Sequence, residues 1–343
     1  MNILITGNMG YVGTVLTNRL HNKGFNIFGI DTGFYKNCIL GNDIKIKQQI
    51  ILDIRKITPK HLKRIDCIIH LASLSNDPLG ELYKGITEEI NFFATIRLAK
   101  IAKDSGVKKF IYASTQSLYG ISKTMKPLDE YNSKKNPITA YAKTKYMAEK
   151  KILLLNDKNF NIVIFRPATV FGDSPRLRSD IVFNNLLGSA YLYKKINIKS
   201  DGSPIRPVIH IEDVCKIFEL AVTVNENLIS GKIYNIGMFK ANYSIREMAV
   251  IVKKLVPNSE IYFSNEHNSD QRTYTVSFDR LENTLGKYLD NQIDLLEGGK
   301  RLLNFFKKNK FSHTDYTGIK TNRIKKIISL VKNGKVNKKL YFI

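Results

Sequence analysis

The sequence predicts an α/β protein built on a doubly wound parallel sheet, with a smaller mixed α/β lobe. Three observations predict it. Short apolar runs alternate with helix-like stretches through the first half of the chain. Most of those runs are apolar on both faces, as strands covered by helices on either side must be. A glycine-rich turn joins the first run to the first helix. Strand–helix alternation of this kind gives right-handed βαβ units.

The runs at 2–6 (NILIT), 25–31 (FNIFGID), 48–54 (QQIILDI), 66–72 (DCIIHLA), 109–114 (KFIYAS) and 162–167 (IVIFRP) read as buried strands. They are rich in β-branched and aromatic residues. Helical stretches lie among them at 11–21, 87–105 and 140–155. After Gly172 the rhythm changes. A helix at about 181–193 precedes the polar turn SDGSPIRP at 200–207. The strands VIHI and KIYNIG, a helix at 244–255, and the strands EIYFS and RTYTVS follow. The segment from 306 is a basic tail with one amphipathic helix near 322–331.

The 343 residues carry a formal net charge of +24. Such a charge suits nucleic-acid or membrane-surface binding. The excess is diffuse, however, with Lys, Asn and Ile abundant throughout and only 305–339 dense in basic residues. It reads as a composition bias, and its field would also steer a diphosphate ligand. Nucleic acid is not the expected partner. No apolar run reaches the roughly 18–20 residues that span a bilayer. The opening MNILITGNMG lacks the pattern of a secretion signal. Cys38, Cys67 and Cys215 show neither a disulfide framework nor zinc spacing. A reducing cytoplasm is the expected setting, with no metal.

The first strand runs into TGNMGYVG, which places Gly7, Gly10 and Gly13 before a helix that opens with Tyr11 and Val12. Glycines there allow a tight turn and close approach of backbone to a pyrophosphate, which the helix N-terminus attracts. The spacing G-x-x-G-x-x-G departs from the usual G-x-G-x-x-G. Asp31 closes the second strand 18 residues after Gly13, where a carboxylate accepts the hydroxyls of an adenosine ribose. Thr32 and Gly33 follow it, so no adjacent cation awaits a 2′-phosphate, and NAD is expected over NADP. Asp53 and Ile54 end the third strand, placed to hold adenine by one polar and one apolar contact.

YAKTK puts Tyr141 and Lys145 on one face at the start of a helix. A phenol near its ordinary pKa of about 10 is a poor base, and a neighbouring ammonium favours its phenolate. ASTQSLYG offers the hydroxyls of Ser114, Thr115 and Ser117 at the end of the strand KFIYAS, the edge where open α/β sheets bind ligands. One of these, Thr115, would hold the reacting oxygen beside Tyr141. A hydroxyl donor, a Tyr–Lys pair and a nicotinamide complete an apparatus for hydride transfer.

Glycines 7, 10 and 13, Asp31, HLAS at 70–73, Asn91, STQSLYG, YAKTK, RPATVFG at 166–172 and RPVIHIEDV at 206–214 occur in one order over about residues 1–300. As a set they resemble the extended short-chain dehydrogenase/reductase superfamily, and within it the NAD-dependent sugar-nucleotide epimerase/dehydratase group. The resemblance implies a Rossmann-like fold that binds NAD and a nucleotide-diphosphate sugar. It implies a dinucleotide-binding domain at 1–171 completed by about 208–237, a substrate-binding lobe from 172–207 and 238–305, and the tail at 306–343. Tyr141 would be the acid/base, Lys145 its partner and Thr115 the positioning hydroxyl. Leu71, Ala72, Ser73, Asn91, Ser114 and Pro167 would lie along the cofactor. Arg206 and Arg272 would meet the sugar-nucleotide diphosphate, and Thr169 and Asn184 would either line the pocket or serve structural hydrogen bonds. Asn76 and Asp77, in SLSNDPLG, are sugar contacts or simply a turn. A homodimer through the helices at 87–105 and 140–155 is also implied.

The 4,6-dehydratases of this group carry Asp-Glu directly after the threonine, where this chain has Gln116 and Ser117. An amide cannot act as a carboxylic acid at neutral pH, so dehydration is disfavoured. Gln116 remains a candidate substrate contact. The expected reaction is 4-epimerisation through a transient 4-keto sugar in surface-polysaccharide precursor synthesis. A 4-dehydrogenase or 4-ketoreductase is the alternative, and a non-catalytic dinucleotide- or RNA-binding protein on the same fold the remote one.

Overall fold

In the computed structural model, which describes residues 1–42, 46–122, 126–239, 241–264 and 273–343, the expected apolar runs become strands. They are β1 (Asn2–Thr6), β2 (Asn26–Asp31), β3 (Gln48–Ile51), β4 (Cys67–His70), β5 (Lys109–Ala113) and β6 (Asn161–Pro167). Shorter strands follow: β7 (Thr169–Phe171), β8 (Lys195–Ile198), β9 (Ile205–His210), β10 (Lys232–Ile236), β11 (Asn242–Ser244) and β12 (Glu260–Phe263). Seven of them form one sheet in the order β10-β6-β5-β4-β1-β2-β3, every neighbour parallel. This is a Rossmann-like doubly wound sheet. Its order reverses at β1 and β4, and a crevice opens outside the carboxyl ends of the strands there.

Alternation along each strand divides the core. Ile3 and Ile5 face one side with Leu16 and Leu20 of α1 (Tyr11–Asn22), while Leu4 faces the other. That other side is covered by a helical run made of α2 (Asp77–Leu82), α3 (Lys84–Glu88), a wide π-type turn at Glu89–Ala94 and α4 (Thr95–Asp104), and by α5 (Ala140–Leu153). A third apolar cluster holds the smaller lobe together. It joins α6 (Val182–Tyr193), β8 and β12 to helices later in the chain.

Those later helices are α7 (Ile211–Thr223), α8 (Glu226–Ile229), α9 (Ile245–Leu255), α10 (Asp279–Leu285) and α11 (Leu295–Lys308). α7 packs beside α1, with Val214, Ile217 and Phe218 in the same cluster as Leu16. The chain ends with α12 (His313–Thr317) and α13 (Arg323–Lys332). This last segment folds back on the main sheet. Ile327, Leu330, Val336 and Leu340 are buried with Phe34, Ile54, Leu74 and Leu79.

Three expectations about elements change. The run at 48–54 is a strand only to Ile51, because the Asp53 carboxylate accepts from the Arg55 amide at 2.8 Å and caps a tight turn at Ile54–Lys56. The helix expected from 87 begins at Lys84 and is interrupted by the π-type turn. KIYNIG supplies the edge strand β10 of the main sheet, next to β6. RTYTVS forms no strand among the described residues. It makes a single bridge from Val276 to Leu128 and buries Tyr274 and Val276 against Leu118 and Tyr119. The sheet of β7, β9 and β11 lies beyond β6, with β9 antiparallel to β11.

Candidate active site

The turn between β1 and α1 is fixed by close backbone approaches. Gly7 has φ +77°, and a Cβ there would lie 2.7 Å from the Ala72 nitrogen; a Cβ on Gly13 would lie 2.2 Å from the Gly7 carbonyl oxygen. A side chain would therefore push α1 away from β1 and β4. The first-turn amides of a helix have no carbonyl within the helix to bond. Here they belong to residues that line a cleft, Tyr11, Val12 and Gly13, beside Gly7 and Gly10. Asp31 lies in the same cleft, its carboxylate accepting from the Met9 amide at 3.1 Å and the Gly33 amide at 2.8 Å. Burial raises its pKa, opposed by those amides and by Arg176 and Arg323 nearby.

Asp53, Ile54, Leu71, Ala72, Ser73, Ser114 and Pro167 line the cleft as well. The Asp53 carboxylate is clamped by the Arg55 guanidinium, 2.7 Å from Nη2, so it is a fixed acceptor. Two buried polar atoms of cleft-lining residues, Ser114 Oγ and Arg323 Nη1, have no hydrogen-bond partner. Buried polar groups are ordinarily satisfied. A long ligand with hydroxyls and anionic oxygens suits this lining, and a dinucleotide has both.

Thr115, Tyr141 and Lys145, the expected acid–base set, line the same cleft together. Tyr141 is in the first turn of α5. Thr139 caps that helix, accepting from the Ala142 amide at 3.2 Å and donating to Asp77 at 2.5 Å. The Ala140 amide donates to Glu81 at 2.7 Å, so α5 is pinned to α2 at the turn that carries Tyr141. One turn along, the Lys145 ammonium donates to the Ala113 carbonyl at 2.8 Å and lies 4.8 Å from the Tyr112 ring centre. Burial pushes its pKa down to about 7, against the opposing pull of Glu149. Thr115 accepts from the Ser117 amide at 3.1 Å, which aims its hydroxyl from the end of β5. Behind them the buried pair Arg166–Glu149, at 2.7 Å, ties β6 to α5.

Five expected ligand contacts lie outside this lining. Asn91 is buried in the π-type turn and bonds both the amide and the carbonyl of Leu74, so it shapes the loop after β4. Asn76 caps α2 and donates to Asp180 at 2.7 Å. The Gln116 amide donates to the carbonyls of Arg166 and Ile236, at 3.0 and 3.2 Å, and so faces into the sheet. Asn184 bonds the Gly172 amide, the Tyr11 hydroxyl and the Arg178 carbonyl, which makes it a tie between α6 and the glycine turn. Arg206, on β9, is buried and donates to the Ile205 carbonyl. Arg272 lies outside the described residues. Thr169 does line the cleft. The Tyr11 phenol turns to the Gly172 carbonyl at 2.7 Å, and burial raises its pKa.

Sequence reasoning missed Tyr35, Arg178 and Arg323, which all line the cleft. Arg178 pairs with Asp180 through two nitrogens, at 2.9 and 2.8 Å. Burial works against the Asp180 charge, yet Arg178 holds that carboxyl below its ordinary range. The signal for Arg178 was the RLRSD run itself, two arginines with a carboxylate two residues on. Arg323 had no local signal.

The family model for NAD-dependent epimerases and dehydratases matches residues 3–237, more than half of the chain. The chain belongs to the NAD-dependent epimerase/dehydratase family. It is an enzyme of that epimerase/dehydrogenase type, and NAD is its cofactor. Its similarity extends past the matched region. It is 26% identical to a putative UDP-glucose 4-epimerase of Methanocaldococcus jannaschii, over 90% of this chain and 99% of that one. It is 24% identical to a UDP-glucuronate 4-epimerase of Thermodesulfobacterium geofontis, over 89% and 96%. Among solved structures it superposes on the UDP-glucuronic acid 4-epimerase of Bacillus cereus, described with UDP-glucuronic acid and NAD. That match has a TM-score of 0.74 and 25% identity, and covers 90% of this chain and 99% of the other.

Proposed function

We propose that this family member is a sugar-nucleotide 4-epimerase that works through a transient 4-keto sugar. The observation that carries the reading is the joint placement of Thr115, Tyr141 and Lys145 in the cleft that begins at the glycine turn. The names of the relatives, 4-epimerases of UDP-sugars, support the substrate class.

The cofactor's nicotinamide, when bound, accepts a hydride and can return it. The protein does the rest. The Thr115 hydroxyl holds the sugar's 4-oxygen, and Tyr141 removes the 4-hydroxyl proton as the carbon–hydrogen bond gives up its hydride. Lys145, held by the Ala113 carbonyl, favours the phenolate at the start and bonds the ribose of the nicotinamide. After the ketone turns over, Tyr141 gives the proton back and the 4-carbon is inverted. Positioned acid–base catalysis of this sort contributes about 10²–10⁴ in rate. Gln116 supports epimerisation over water loss, because its amide is spent on two carbonyls and offers no proton.

In this reading Asp31 takes the adenosine ribose hydroxyls, and Asp53 with Ile54 takes the adenine. We assign dinucleotide binding to 1–171 and about 208–237, and the sugar nucleotide to the lobe from 172–207 and 238–305. Arg206 and Arg272 are the proposed cations for the sugar-nucleotide diphosphate, on the strength of the family pattern. We place the reaction in the cytoplasm, in the making of surface-polysaccharide precursors, and expect a homodimer through the helical stretches at 87–105 and 140–155. No helix among the described residues is long and apolar enough to cross a membrane.

The test mixes the purified protein with UDP-, GDP-, dTDP- and CDP-sugars, read by absorbance at 340 nm and by proton NMR. Inversion at C4 without net NADH is the expected result. Stoichiometric NADH with a released keto sugar, turning over only when an oxidant is added, would make the enzyme a dehydrogenase and overturn the epimerase reading.

A further inference from the structure

The cleft receives one residue from the C-terminal segment. Arg323, the first residue of α13, is only 4% exposed and lines the cleft together with Asp31 and Tyr35. Its Nη2 donates to the Arg176 carbonyl at 2.7 Å, and its guanidinium carbon lies 4.3 Å from the Tyr35 ring centre. Its Nη1 is buried without a partner. Two other buried guanidiniums have carboxylates, Arg166 with Glu149 and Arg178 with Asp180. Among the described residues Arg323 has none.

Asp31 and Asp180 act on it only through space, and a buried cation with no carboxylate in contact is costly, yet the fold holds this one firmly. Ser179 and Thr321 join their hydroxyls at 2.8 Å, and the Ser179 amide donates to the Thr321 carbonyl at 3.2 Å. Ile327 and Leu330 anchor α13 in the main core behind it. Such a group is prepared for an anion that arrives from outside. Three cationic side chains line the cleft among the described residues: Lys145, Arg178 and Arg323. Lys145 is bonded beside Tyr141, and Arg178 is neutralised by Asp180. Neither the glycine turn TGNMGYVG nor the loop SLSNDPLG contains a Lys or Arg. Arg323 lines the cleft with Asp31 and Tyr35, both at or just beyond the end of β2, next to where the proposed reading puts the adenosine ribose and so within reach of the diphosphate joined to it.

We propose that Arg323 is a cofactor-binding residue, supplying the positive charge that meets the dinucleotide's diphosphate beside the amides of α1, and that the C-terminal segment thereby straps the cofactor in place. The inference rests on the family's use of NAD. A guanidinium–phosphate contact is charge-assisted and potentially bidentate.

The test measures NAD and UDP affinities by calorimetry for the wild type, Arg323→Met and Arg323→Lys, with apo melting temperatures alongside. Loss of a hydrogen bond to a charged group weakens binding by about ten- to a hundredfold. We expect that loss for NAD in Arg323→Met, partial recovery in Arg323→Lys, and UDP affinity within twofold of wild type. If NAD affinity stays within twofold while UDP affinity or only the melting temperature falls, the cation serves the substrate or the fold, and the proposal is overturned. Hydrogen exchange on the wild type needs no variant to fold. NAD alone should slow exchange across 315–332 and UDP alone should not; no slowing by NAD also overturns it. A wild type that binds no NAD by either measurement would sink the cofactor assignment itself, a result distinct from a defect confined to the variants.

Discussion

At the scale of single residues, the chemistry of the site separates from its framework by where each side chain spends its hydrogen bonds. Tyr141 stands at the cleft while Gln116, next to Thr115, is turned into the sheet. Tyr141→Phe should lower kcat by about 10²–10⁴ with NAD affinity unchanged, measured by turnover and calorimetry. Gln116→Glu should not create a dehydratase. Its carboxyl would face the carbonyls of Arg166 and Ile236, which can only accept, so we expect a loss of about 1–3 kcal/mol or more in urea unfolding. New water-loss activity with undiminished stability would contradict that placement. The glycines, Asp31 and the Tyr–Lys pair were legible in the sequence because each depends on spacing along one strand–turn–helix unit. For Asn184 and Asn76 the sequence left ligand contact and structural tie both open, because an amide near a pocket in sequence serves equally well as either. Only the third dimension shows that theirs go to Tyr11 and Asp180.

At the scale of elements, the position of Tyr141 depends on how α5 begins. The Thr139 hydroxyl caps the helix and reaches Asp77 on α2, so one side chain sets both the helix start and its distance from the neighbouring helix. Thr139→Ala removes both bonds. Loss of a cap costs about 0.5–2 kcal/mol, and the expected kinetic signature is a lower kcat with NAD affinity intact, because the first turn frays while Lys145 keeps its bond to Ala113. Equal losses in kcat and NAD affinity would show that the cofactor site, not the Tyr141 turn, depends on the cap. Most strands of the main sheet were legible since burial on both faces leaves a continuous apolar run, as in the wholly buried Cys67–His70; Gln48–Ile51, expected to be buried too, is largely exposed because it is the edge strand. β8 was missed because its four residues alternate exposed and buried at the margin of the small lobe. RTYTVS carried a strand-like pattern without becoming one, since its apolar residues are buried by packing on Tyr119 rather than by a ladder.

At the scale of the whole molecule, the basic tail was the least legible part. It read as a basic tail with one amphipathic helix, yet residues one helical turn apart, Ile327 and Leu330, close one side of the main core and carry Arg323 to the cleft. Long-range packing of this kind leaves no local signature. The same burial that forms the core sets a global response to acid. His70, at the end of β4, lies wholly buried between the Thr6 hydroxyl at 2.6 Å and the Thr95 hydroxyl at 2.9 Å. Burial pushes its pKa from 6.5 down to about 3, with Lys145 adding to the effect. The folded state therefore stays neutral there while the unfolded chain takes up a proton. Above pH 6.5 neither state is protonated and His70 has no pH-linked effect; as pH falls from 6.5 toward about 3, unfolding gains a proton and stability is lost. One such group changes the unfolding free energy by at most about 1.4 kcal/mol per pH unit. Several buried carboxyls have raised pKa values and act in the opposite sense, Asp213 at about 6 among them. Total stability is thus the wrong readout, and the difference between wild type and His70→Gln is the right one. That difference should be constant above pH 7 and shift steadily against the wild type between pH 6 and 4.5, approaching the one-proton slope of about 1.4 kcal/mol per unit. A difference that stays flat across that range would mean His70 titrates alike in both states, and that the buried hydroxyl cradle does not hold it neutral.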